Sequence, residues 1–191
     1  MNDLTTFSEA EAELLERGFL LGFENTWKSV SYKSNLPFKI YIQPYFNVLV
    51  VLIGYDNDKL DSFTIKAVWR LNKHTTISNF TDKIESLGGD QPNFYVRKDG
   101  AKSINDYVED PSILQYSSFR NVNSASILPS FYDLLLQCTD LQPWNKQSHL
   151  WLVDPNESSN LSSDDVKKLS QERLRIAVSN LGLDQANFGI K

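Results

Sequence analysis

Apolar positions recur at helical spacing at the start of the chain and at every second position soon afterwards. Ser8 and Glu11 have the spacing of a capping box, Glu9, Glu11 and Glu13 sit where a helix dipole favours acids, and Gly18 can end the helix in a left-handed turn. These signals predict a helix over 8–17. The pattern then shortens to a period of two. A strand is expected over 26–33, and Phe38, Ile40 and Ile42 alternate with Lys39, Tyr41 and Gln43 in a second one that Pro44 closes.

Val48–Ile53 is apolar on both faces, which predicts a central strand whose second face is at least partly covered. After a polar turn over 54–61, Phe63, Ile65, Ala67, Trp69 and Leu71 alternate with Thr64, Lys66, Val68 and Arg70. Short connections make these strands an antiparallel meander of three to four members, with Trp69 buried under helices. Helical spacing returns at Ile77, Phe80, Ile84 and Leu87, ahead of Gly88 and Gly89. A further strand is expected over 93–98, weak structure with at most one helical turn over 101–126, and a helix carrying Leu128, Phe131, Tyr132, Leu135 and Leu136 with Pro129 in its first turn. A short strand over 149–153, a mobile surface loop over 154–163 and a long amphipathic helix between Ser162 and Gly182 complete the reading. The expected architecture is a single α+β domain spanning 1–191: an N-terminal helix, the meander, then mostly helices packed on one face.

Composition refines this picture modestly. The 191 residues are 41% hydrophobic and 12% aromatic, enough for a core that needs no metal or disulfide. One cysteine, an acidic start and no apolar run near the roughly 20 residues of a membrane span lead to the expectation of a soluble chain in the reducing cytoplasm. The net charge of −5 disfavours nucleic acid as a partner.

Candidate chemistry is sparse. One Cys and two His offer no paired zinc ligands, and no phosphate-loop motif occurs. Asp56, Asp58 and Asp61 lack the glycine and glutamate of a calcium loop and read as a polar turn. Neither a cofactor nor a metal is expected. Cys138 follows a leucine-rich helix, where a lone cysteine is usually a small buried hydrophobe, although His149 is a conceivable base for it.

Between Glu24 and Asp56 there is no acid, and Lys28, Lys33 and Lys39 mingle with Trp27, Tyr32, Tyr41, Tyr45 and Phe46. Lysines beside rings suit a protein-binding face and, less well, single-stranded nucleic acid. The expected function is therefore a non-enzymatic protein-binding module, of the immunity-protein, antitoxin or dedicated-chaperone kind, whose partner is another protein. Alternatives are a small hydrolase using acidic residues or Cys138, and a single-stranded nucleic-acid accessory protein. Lys39, Tyr41 and Gln43 form the candidate partner-binding face. The competing expectation is that the acidic N-terminal helix covers that face, which would make Tyr41 core.

Overall fold

The computed structural model describes residues 6–28, 35–87, 93–97, 112–119, 124–144, 152–153 and 155–191. The first helix, α1 (Phe7–Glu16), is capped by Thr6: its hydroxyl accepts from the Glu9 amide while the Glu9 carboxylate accepts from the Thr6 amide. The capping box thus lies two residues before the expected pair. Ser8 instead donates its amide and hydroxyl to Asp58, at 3.1 and 2.8 Å, which ties the helix start to a distant turn. Gly18 ends the helix with φ +78°, the left-handed conformation that glycine adopts without strain.

The meander has four strands, β1 (Leu20–Lys28), β2 (Asn35–Gln43), β3 (Val48–Tyr55) and β4 (Lys59–Leu71), each antiparallel to the next. The first begins well before residue 26, because the Leu20–Phe23 stretch pairs with Ile40–Ile42 across a bulge. The helix α2 (Ile77–Ser86) and strand β5 (Asn93–Arg97) match expectation closely. The weakly patterned region does not. It contains β6 (Ser112–Phe119), which lies between β4 and β5 in the sheet. Helix α3 (Ser124–Cys138) starts early enough to place Pro129 inside it, not in its first turn, and β7 (Thr139–Gln142) follows at once. Within the span expected as a loop, Pro155–Ser158 forms one helical turn, α4; Asp154 falls outside the described residues. The chain closes with α5 (Ser163–Asn180), which the Ser162 hydroxyl caps by accepting from the Asp165 amide.

Strand order is β1-β2-β3-β4-β6-β5, and β7 also pairs with β4. Residues 62–66 of β4 have β3 on one side and β6 on the other, while Val68 and Trp69 have β6 and β7. Hence β7 takes over the side of β4 that β3 leaves, and the two complete it in succession.

Helices on one face alone are a correction to make. Phe63, Ile65, Ala67, Trp69, Tyr41, Val50 and Leu52 point to a core shared with α1, α2 and α3. Phe38, Ile40, Ile42, Leu49, Val51, Ile53 and Val68 point the other way, into a second core with Leu174, Ala177 and Val178 of α5, Trp144 and Phe188. The doubly apolar Val48–Ile53 run requires this, since an uncovered face would leave three of its side chains in water. Trp69 is buried against Phe80, with ring centroids 5.2 Å apart. Lys66 and Val68, which alternate with the apolar series of Trp69, are buried as well.

The second core also holds polar groups that periodicity hid. On α5, the Ser170 hydroxyl accepts from the Leu152 amide at 2.9 Å, and Arg173 donates to the Leu152 carbonyl at 2.9 Å. Arg173 also grips both carboxylate oxygens of Glu157 at 2.8 and 2.6 Å and lies over the rings of Phe23 and Phe38. Burying a guanidinium is tolerable only with such pairing, and here it fastens α4 to α5.

Candidate partner-binding face

Lys39, Tyr41 and Gln43 do share one face of β2, but α1 covers it. Lys39 Nζ lies 2.8 Å from the Glu11 carboxylate and 5.6 Å from the centre of the Phe7 ring. Gln43 is half-buried: its side-chain oxygen accepts from the Tyr45 and Phe46 amides, and its nitrogen donates to the Arg17 carbonyl. Tyr41 is 0% exposed and belongs to the core beneath α1. The expected open face is corrected accordingly, and the reason is electrostatic as well as apolar. Glu11 of α1 and, at 4.0 Å, Glu24 of β1 both meet Lys39, the cation of the strand below.

The Tyr41 hydroxyl lies near Glu11 and feels its charge, yet the contact falls short of a hydrogen bond. Burial first, and then the Glu11 carboxylate, push its pKa far above the ordinary tyrosine value. Tyr132 on α3 stacks edge-on against Phe19 at 5.0 Å, and burial followed by the Asp133 charge pushes its pKa up to about 12. Both rings serve the core as neutral phenols.

Exposed apolar surface gathers elsewhere. Six large apolar side chains among the described residues are exposed: Leu15, Leu20, Leu21, Tyr45, Leu136 and Leu161. The first five come from the end of α1, the start of β1, the β2–β3 turn and the last turn of α3. Strand pairing brings these segments to one end of the sheet. Leu20 pairs with Ile42, Val48 with Gln43, and β7, which continues directly from α3, lies alongside the last residues of β4. Tyr45 is the most exposed, at 81%, with its ring edge-on to Phe46. The Lys–aromatic pattern contained this residue, but nothing in the alternation separated it from Tyr41.

Beside this end, Arg70, Leu71, Asn72, Lys73, His74 and Asp140 line an open recess of about 620 Å³. Asn72 shapes it. Its amide donates to the Cys138 carbonyl, its side-chain nitrogen to the Gln137 carbonyl at 2.9 Å, and its side-chain oxygen accepts from the His74 amide and the Thr75 hydroxyl.

The other candidates are structural in these surroundings. Cys138 is fully buried, with Lys83 Nζ 3.7 Å from its sulfur, and His149 lies outside the described residues. Asp56 and Asp58 flank a tight turn with positive φ at Asn57 and Asp58, and Asp58 receives α1. Among the described residues no three His, Cys, Asp or Glu side chains converge as metal ligands, and no helix is long and apolar enough to cross a membrane. Lys33 and Tyr32 lie outside the described residues, and Lys39 and Tyr41 are engaged in packing α1. No protein-family model, no characterised protein and no solved structure matches the chain.

Proposed function

We propose that this chain is a non-enzymatic protein-binding module, of the immunity-protein, antitoxin or dedicated-chaperone kind, working in the cytoplasm. It engages its partner through the end of the sheet at which Tyr45 stands. The observation that supports this reading is the gathering of five of the six exposed large apolar side chains at that end. Single exposed leucines are ordinary on any surface, whereas five exposed apolar side chains towards one end of a sheet, a tyrosine among them, have the composition of a contact edge. A tyrosine offers a large, rigid area at small entropic cost and is a frequent binding hot spot.

The test compares capture of host proteins by the unaltered chain with capture by Tyr45→Ala and by Leu136→Ser. Both side chains are exposed, so both variants should melt with the unaltered chain. A partner held by the unaltered chain should bind Tyr45→Ala more weakly by about 2 kcal/mol or more. Equal retention by all three proteins would move the site elsewhere. Catalytic turnover by the purified chain would overturn the non-enzymatic reading.

A further inference from the structure

Several cations of this chain have partners within the fold: Arg17 has Glu13 and Asp133, Lys39 has Glu11, and Arg173 has Glu157. The recess at the end of β4 differs. Arg70 meets Asp140 only through Nε, at 3.6 Å, with both side chains about half exposed. Among the described residues its two Nη groups have no partner, and neither do the Lys73 ammonium and the His74 ring. Two cations against one carboxylate make the recess locally positive on a chain whose net charge is −5. The Asn72 hydrogen bonds hold the loop that carries them, so these donors stand on a fixed scaffold.

We propose that the recess binds an acidic peptide segment of the partner, an inference that rests on the protein-binding reading above. Asp140, on the Nε side of Arg70, leaves the Nη fork open for one incoming carboxylate to take bidentately. Lys73 meets a second carboxylate as a point charge, and the His74 ring adds a hydrogen-bond donor. Half-buried Leu71 lines the same recess, and the exposed leucines and Tyr45 stand at the same end of the sheet. The segment should therefore carry apolar side chains between its acids. A nucleic acid fits less well, because a phosphate track needs a longer row of cations and would meet Asp140.

The experiment is a titration followed by the imidazole resonances of His74 and the backbone amides of Asn72 and Lys73. The probes are a synthetic Glu/Leu peptide, its Gln/Leu counterpart, inorganic phosphate and a single-stranded oligonucleotide. The Glu/Leu peptide should shift these resonances saturably, and its affinity should fall with salt. Arg70→Glu with Lys73→Glu, two exposed positions, should keep the melting temperature and weaken the peptide by about tenfold or more, as expected when two charge-assisted contacts are lost. Absence of a shift, or an equal shift with the Gln/Leu peptide, would overturn the proposal. So would phosphate binding as tightly as the peptide, which would mean a simple anion site, or the oligonucleotide binding more tightly. If Tyr45→Ala abolishes partner capture while the charge reversal leaves it intact, the recess proposal fails and the binding-module reading stands. If the peptide binds as described but capture ignores Tyr45, the recess proposal stands and the contact around Tyr45 fails.

Discussion

Tyr41 offers the sharpest test of how the sheet is covered, because its two faces predict opposite behaviour. Its ring is fully buried, paired across β1 and β3 with Leu21 and Val50, and roofed by α1. Removing an aromatic ring from such a core costs about 3–5 kcal/mol through lost burial and the cavity left behind. At about 2–4 °C per kcal/mol for a chain of this size, Tyr41→Ala should melt about 6–20 °C below the unaltered protein. Tyr41→Phe should behave differently. The hydroxyl has left water without gaining a hydrogen bond, a burden of about 1–3 kcal/mol, so deleting it should be neutral or stabilising. Urea denaturation followed by far-UV circular dichroism measures both, and an unchanged slope would show that only the midpoint has moved. A Tyr41→Ala midpoint equal to that of the unaltered chain would refute the burial of this face. A clear loss in Tyr41→Phe would show instead that Glu11 accepts a true hydrogen bond from the hydroxyl.

Other outcomes follow from the same packing. Trp69→Ala should cost about 3–5 kcal/mol in chemical denaturation, since the indole fills the space against Phe80, and a silent substitution would contradict its place in the core. In Gly22→Ala a new methyl would stand 2.9 Å from the Ala177 side chain and 3.0 Å from its carbonyl. Overpacking between β1 and α5 should then lower stability by about 1–3 kcal/mol, whereas an unchanged midpoint would mean that α5 yields freely. Tyr132 keeps its proton to about pH 12 in the fold, against 10.0 for an ordinary tyrosine. Its stabilising contribution is complete below pH 10 and is lost as pH rises through that interval, at about 1.4 kcal/mol per pH unit. Tyr132→Phe should flatten the alkaline fall in stability by that amount, and an equally steep fall would exclude Tyr132 as its source.

The elements were legible wherever burial imposes a period. Phe63, Ile65 and Trp69 announce one face of β4, and the unbroken Val48–Ile53 run announces that β3 is covered twice. What alternation does not carry is which element covers which face. Tyr41 and Tyr45 lie four residues apart in one Lys–aromatic stretch, yet one is core and the other almost wholly in water. The difference comes from contacts at long separation, Ser8 with Asp58 and Glu11 with Lys39, which no local window contains. Strand β6 escaped for a related reason. Its Gln and Ser residues blur the alternation, and its identity comes from eight paired positions along β4. The buried Ser170 and Arg173 look like the polar side of an amphipathic helix until Leu152 and Glu157 are brought to them.

The shared flank of β4 bears on how the chain is made. Local hairpins join β2 to β3 and β3 to β4, so most of the meander can form soon after residue 71 has been synthesised. Val68 and Trp69, which β6 pairs on one side, and Arg70 and Leu71, which β6 does not reach, must wait for Thr139–Gln142 before β7 can pair with them. Until then a nascent chain holds out a short, apolar strand edge around a tryptophan, the kind of template on which chains aggregate. A fragment ending at Cys138 keeps that edge permanently. It also lacks α5, Trp144 and Phe188, which cover the second core, so it should precipitate or require a chaperone.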